Sequence, residues 1–423
     1  MTATADSSTN GMTSTEEKIV AALEPRAEQM LLDLGRYVAI PTGGNHQPGL
    51  DEYRGLLIDR LSKIGGEAEI VPGKPKPAWL MGGGDGAVPP CAVITSPAMR
   101  AKPCPGTKVL IACHLDTVFD PEDDFREMTV AADGKTATGP GVVDMKGGTL
   151  TTINALEILH ELGAEVPWTL VLTSDEETGS YCSDHVLTEQ SQRHDIGLAT
   201  EPALPGGELV VERLGSGQFR IKATGRSAHV GRNFTGGVSA VTALAETLTE
   251  VAKLPDPERG RILSVGPLVG GAATNAVPDV AYAWGNARYP DATIADETAA
   301  LLGSLERDAD LDRGVAGITI DRCFQRPAKP RTDGTMKVAL IARAAAEALG
   351  QSLPFAATGG VCDGNILQAA GLPTIDTMGV RGGGLHTTDE WIEVRSLVER
   401  AQLMAVFLSR VGEHGLGAPS AAE

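Results

Sequence analysis

Apolar positions along the chain fall into two kinds of pattern. Lys108-Val-Leu-Ile-Ala112 and Trp168-Thr-Leu-Val-Leu-Thr173 are short, nearly unbroken apolar runs of the buried-strand type. Between them, Lys146–Gly163 places Leu150, Ile153, Leu156 and Leu159 at helical spacing, with Gly163 as a stop. Nearer the start, Ser14-Thr-Glu-Glu17 reads as a capping box opening an amphipathic helix that runs to about Val38. Strand, helix, strand at these intervals predicts a mostly parallel sheet with helices on its faces.

The pattern changes near Gly206. From there to about Phe324 it predicts strands at Leu209–Ala223, Ile262–Val269, Val280–Ala287 and Gly317–Ile320, with helices near Gly237–Leu254 and Asp291–Ala309. This is the signature of a small antiparallel sheet with helices on one face. Helix–strand alternation then resumes with a helix at Thr335–Leu349, a strand at Thr374–Thr377 and a helix at Val394–Val411. The expected fold class is α/β: a mostly parallel-sheet domain over 14–207 and 325–415, interrupted by a smaller α+β domain over 208–324. Residues 1–13 read as a disordered tail.

Composition narrows the function classes. A length of 423 residues is too great for one small domain, and 42% apolar residues suffice for sizeable cores. The 36 basic against 55 acidic side chains leave a net charge of −19, which argues against nucleic acid or an anionic membrane as partner. No apolar run reaches the roughly 18 residues of a membrane span, and no basic-then-apolar leader is visible. Six cysteines without a CxxC pair read as reduced thiols, so a cytoplasmic protein is expected. The glycine-rich stretches contain no GxxxxGK[ST], so nucleotide binding is not supported.

Candidate chemistry gathers just beyond the predicted buried strands, where open α/β sheets build their sites. The segments are Ala112-Cys-His114-Leu-Asp116-Thr-Val118, Gly139-Pro-Gly-Val-Val-Asp144-Met-Lys-Gly-Gly148, Thr173-Ser-Asp175-Glu176-Glu177-Thr-Gly179 and Ala199-Thr-Glu201-Pro202. Far downstream lies Gly382-Gly-Gly-Leu-His386-Thr-Thr-Asp-Glu390. A carboxylate run alone is usually a solvated turn, and a lone histidine is usually a satisfied polar residue. Five such segments in one chain favour a metal site, and oxygen and imidazole donors suit Zn²⁺, Co²⁺ or Mn²⁺.

In order and spacing these segments resemble the HxDTV, GxGxxDMKGG, DEExGS, EP and GGGxH stretches of the M20 family of cocatalytic zinc peptidases, over residues 20 to 412. The resemblance implies two Zn²⁺ per subunit (Co²⁺ or Mn²⁺ as substitutes) bridged by Asp144. His114 and Glu201 would complete one shell, and Glu177 and His386 the other. Glu176 would be the general base, and Asp116 would orient the His114 ring. It also implies that the inserted segment is a ferredoxin-like lid and dimerisation domain, making a homodimer.

Within that segment Gly225-Arg-Ser-Ala-His229-Val-Gly231 resembles the family's GxxAHxG stretch, whose histidine would serve the partner subunit's site. Asn275 matches an NxxP stretch as a substrate donor, and Arg288 matches a DxR strand placed to bind a substrate carboxylate. Asn286 stands where the family often has Asp. Arg326 is a candidate second guanidinium, because the planar fork suits carboxylates. The leading expectation is a dinuclear-zinc hydrolase of glutamate carboxypeptidase type, cutting an amide next to a free carboxylate in a small peptide or acyl-amino-acid. The alternatives are an N-acyl amino acid deacylase or desuccinylase and, in a different class, a noncatalytic metal-binding regulatory protein.

Overall fold

The computed structural model describes residues 11–43, 46–81, 88–164 and 166–421. The expected tail therefore lies mostly outside the described residues. The first helix is capped one residue earlier than the sequence suggests. Thr13 and Glu16 form the reciprocal box: Glu16 N–H donates to Thr13 Oγ1 (3.3 Å), and Thr13 N–H donates to Glu16 Oε2 (2.8 Å). Glu16 is drawn inward by Arg410 of the last long helix (Nε to Oε1, 2.5 Å), which sets the register. The predicted single helix is two, Ser14–Leu23 and Ala27–Val38, parted by a 3₁₀ turn that holds Pro25.

The large domain is built on a six-stranded sheet in the order Glu67–Val71, Cys91–Thr95, Trp168–Thr173, Val109–His114, Ile196–Ala199, Thr374–Ile375. The last four strands are mutually parallel; the first two join antiparallel. Every residue of Val109–His114 and Trp168–Thr173 is buried, as expected of strands covered on both faces. Helices Gly147–Glu161 and Val394–His414 share the main core with them, through Ile153, Leu156, Leu403 and Phe407. No helix among the described residues is long and apolar enough to cross a membrane.

The predicted strand Leu209–Ala223 is two strands in different sheets. Leu209–Arg213 pairs in parallel with Phe355–Thr358 and buries Leu209 and Val211 in the main core. Gly215–Thr224 lies inside a four-stranded antiparallel sheet ordered Ile262–Gly270, Val280–Tyr289, Gly215–Thr224, Gly317–Arg326. Only Leu214 parts the two strands, and the marks of the change of sheet are the charged pair Glu212-Arg213 before it and Gly215 after it. With helices Ala240–Val251 and Ala292–Gly303 the insertion follows β-α-β-β-α-β, the ferredoxin-like order.

Phe219, Ile221 and Ala223 face the helices and pack with Leu244, Val251 and Ile318. Strand alternation turns Ser216 and Gln218 to the opposite face, in register with Arg288 and Asn286. The two strands that enter and leave the insertion are bonded to each other: Arg213 N–H donates to Lys329 O (2.9 Å) and Lys329 N–H to Arg213 O (3.0 Å). Both side chains converge on the fully buried Asp376, at 2.8 and 3.2 Å.

Candidate active site

The unclothed face of the inserted sheet and the strand ends of the large domain enclose a cavity of about 720 Å³. Asp144, Glu177, Glu201 and His386 line one side; Ser216, Gln218, Asn286 and Arg288 line the other.

His114 closes the central strand Val109–His114 and is buried. Its Nε2 lies 3.1 Å from Asp144 Oδ1, and its Nδ1 lies 2.9 Å from the Asp116 carbonyl oxygen. His386, at positive φ in a glycine-rich loop, has Nε2 3.5 Å from Asp144 Oδ2 and 3.3 Å from Glu177 Oε2. Each oxygen of Asp144 thus faces its own imidazole. His114, Asp144 and Glu177 each offer a ligand atom, all within 4.8 Å of one another. Glu201 lines the same cavity, near enough for its charge to act on His114. All five predicted ligands converge here.

The electrostatics fit a cation. Asp144 and Glu177 raise the pKa of His386 to about 10. Burial opposes a charge on His114, but Asp144 and Glu201 outweigh it and hold its pKa well above the usual range. Burial also raises the carboxyls of Glu176 and Glu201, and that of Asp116 to about 7. Imidazole nitrogen and carboxylate oxygen without thiolate is a donor set suited to zinc, cobalt or manganese. Ligation requires neutral imidazole and ionised carboxylate, so these raised values make metal compete with protons. Adding Zn²⁺ to metal-free protein at pH 7 is expected to release protons, with affinity rising as pH rises. Calorimetry in buffers of different ionisation enthalpy measures this release; a heat independent of buffer would count against ligation by the histidines.

Three expected roles meet different surroundings. Asp116 is expected to orient the His114 ring, and its carboxylate Oδ1 is 3.7 Å from Nδ1. The backbone oxygen of Asp116 holds the ring instead. The carboxylate accepts the N–H groups of Glu176 (3.1 Å) and Glu177 (2.9 Å), two donors that the turn after strand Trp168–Thr173 aims at it. Glu176 and Glu177 diverge as adjacency requires, Glu177 toward His386 and Glu176 toward Arg326.

Arg326, expected to face substrate, is buried and already committed. Its Nη2 lies 2.7 Å from Glu176 Oε1 and donates to Glu176 O and Ser180 Oγ, both at 2.6 Å. Arg288 has no such partner: its Nη1 is buried without a hydrogen bond, and burial together with the charge of Arg326 lowers its pKa. Asn286 donates to Ser216 Oγ (3.3 Å) and supplies no carboxylate.

His229 and Asn275 lie on adjoining segments outside this cavity. Val230 N–H donates to Asn275 O (3.0 Å), the strands Ala228–His229 and Ala276–Val277 pair, and both side chains are exposed. The thiols are no rival nucleophiles, because burial pushes Cys113 up to about 11 and Cys362 well above the normal range. Sequence reading gave no role to Asp363, which accepts from Thr173 and Ser180 beneath the site, or to Glu390, four residues past His386. The signal for Asp363 was a carboxylate in a glycine-rich segment; Glu390, beside Asp389 in a polar turn, gave none.

The model of peptidase family M20/M25/M40 matches residues 110–410. Carboxypeptidase G2 of Pseudomonas sp. (strain RS-16) is 26% identical over 312 residues, covering 73% of this chain and 74% of its own. Succinyl-diaminopimelate desuccinylase of Methylobacterium radiotolerans is 29% identical over 314 residues, covering 69% and 78%. In structure, the di-peptidase Dug1p of Saccharomyces cerevisiae superposes with a TM-score of 0.71 at 16% identity, over 95% of this chain and 99% of its own.

Proposed function

Because the chain belongs to peptidase family M20/M25/M40, whose members hydrolyse peptide bonds, we propose that it is a two-metal exopeptidase of glutamate carboxypeptidase type. The observation that carries this reading is the unpartnered Arg288 guanidinium across the cavity from the Asp144 cluster. A half-buried guanidinium whose Nη1 is shut off from solvent without a hydrogen bond favours a ligand, and a substrate's free carboxylate supplies two parallel hydrogen bonds. Asp144 would bridge the ions, with His114 and Glu201 on one and Glu177 and His386 on the other. Bound metal would polarise the scissile carbonyl and lower the pKa of water. Glu176 would take that water's proton and pass it to the leaving amine, while Arg326 holds its carboxylate in place.

The deciding experiment is hydrolysis of a panel of acyl-amino-acids and dipeptides with and without chelator. Chelation is expected to abolish release of the free amino acid, and Zn²⁺ or Co²⁺ to restore it. Undiminished turnover in verified metal-free protein would refute the assignment. The likeness to a desuccinylase favours one second reading, an N-acyl amino acid deacylase, since Arg288 serves a carboxylate in either substrate. The panel separates the two. A noncatalytic regulator fits less well, because it would not require an intact Glu176 beside a complete ligand set.

The insertion also supports a homodimer. Its edge strand Ile262–Gly270 leaves Ile262, Leu268 and Val269 exposed beside an unpaired backbone edge, a surface suited to a second copy. In such a dimer the exposed His229 would complete the partner subunit's cavity. Mixing inactive His229→Ala and Glu176→Gln subunits should then restore about a quarter of the activity, one intact site per heterodimer under random two-fold pairing. A fully active monomer by light scattering would refute the trans role.

A further inference from the structure

Glu390 carries a second assignment. It follows the loop that bears His386, its side chain is fully buried, and its Oε1 accepts two consecutive backbone N–H groups: Val143 at 2.9 Å and Asp144 at 3.1 Å. Its backbone belongs to the same seam. Gly139 N–H donates to Glu390 O (3.1 Å), and Glu390 N–H donates to Thr387 O (3.1 Å). The next residues, Trp391–Glu393, pair antiparallel with Thr136–Thr138, which leads into Gly139. Two loops far apart in sequence, one holding Asp144 and the other His386, are thus referenced to each other at a single carboxylate.

Glu390 Oε2 is buried and has no hydrogen-bond partner among the described residues, so the side-chain hydrogen bonds given for the carboxylate go to this seam. Asp144 must turn one oxygen toward His114 and the other toward His386, and its carboxylate swings with its own peptide. Whatever fixes the Val143–Asp144 amides fixes that aim.

We propose that Glu390 is a positioning residue for the metal pair: by accepting the N–H groups of Val143 and Asp144 it sets the orientation of the Asp144 carboxylate relative to His386. The assignment rests on the two-metal reading. It distinguishes the reach of an acceptor from the presence of a charge, because Glu390→Asp keeps the charge but shortens the arm, whereas Glu390→Gln keeps the arm without the charge.

The test uses Zn²⁺ alone, with affinity read by competition against a chromogenic chelator and melting temperature read in excess EDTA. Glu390→Asp is expected to melt in EDTA close to the parent yet lose about 10- to 100-fold in Zn²⁺ affinity, as when groups that orient metal ligands are disturbed. Glu390→Gln is expected to stay within about fivefold of the parent, the scale of exchanging a charged for a neutral acceptor. Equal losses in both variants, or undiminished affinity in Glu390→Asp, would overturn the proposal. So would unfolding of Glu390→Asp in EDTA, which would make the residue structural. Failure of the unsubstituted protein to bind Zn²⁺ would overturn the metal reading beneath it.

Discussion

Glu176→Gln protein is expected to bind metal like the parent and to turn over substrate about 10²- to 10⁴-fold more slowly, the loss that follows removal of a general base. The carboxylate has the right surroundings for proton shuttling. Burial and the neighbouring carboxylates Glu201 and Glu177 raise its pKa, and Arg326 at 2.7 Å counters them, so that its proton affinity is set by opposed neighbours. Gln keeps the size of the side chain and leaves the Arg326 bond to the Glu176 carbonyl oxygen in place, but it cannot hold a proton in transit. Glu177→Gln should behave in the opposite way, losing metal first, because Glu177 Oε2 faces His386 and belongs to the ligand cluster. Metal content by elemental analysis beside single-turnover rates separates the two. If the effects were exchanged between the neighbours, the roles would have to be exchanged with them.

The second large effect concerns Arg288. Substrates with a free carboxylate should exceed their amides by about 10⁴-fold in kcat/KM, because a site built around a polar partner strongly rejects analogues that leave its groups unpaired. Arg288→Ala should reduce that ratio to about tenfold or less, chiefly by slowing the free acid. Arg288→Lys should recover only part of it, since an ammonium lacks the planar fork. The overall field gives no help in capture: a net charge of −19 opposes an anionic substrate at long range. Added salt should therefore leave kcat/KM for the free acid unchanged or slightly raised. A parent enzyme that cuts free acid and amide equally well would remove Arg288 from substrate recognition.

The parts of this molecule visible in its sequence are those with strong local patterns. Val109–His114 and Trp168–Thr173 declared themselves as apolar runs, and the ligand segments followed because a parallel sheet delivers loops at its strand ends. The candidate ligands could be named from family resemblance, since spacing alone leaves a carboxylate run ambiguous with a surface turn. What stayed hidden depends on contacts between segments distant in the chain. Whether Asp116 holds a ring or a peptide is decided by where residues 176 and 177 arrive, 60 positions later. Arg326 looked free because Glu176 is its partner only after folding, while Arg288 is unpaired partly because Asn286 bonds Ser216 on the adjacent strand. The break at Leu214 is easily passed over because only Glu212-Arg213 and Gly215 mark it between two strand-forming runs that enter different sheets.

That break has a modular consequence. The insertion enters and leaves through one pair of hydrogen-bonded residues, Arg213 and Lys329, both anchored to Asp376. The host sheet therefore meets the insert as it would meet the tip of a hairpin, with its ends already side by side. Joining those ends by a short turn would leave the main core and the Asp144 cluster intact and remove Arg288, Arg326 and His229 together. The insertion thus carries both Arg288, proposed to grip the substrate, and Arg326, which braces Glu176 of the host, so it is free to diverge in sequence only where it keeps that brace.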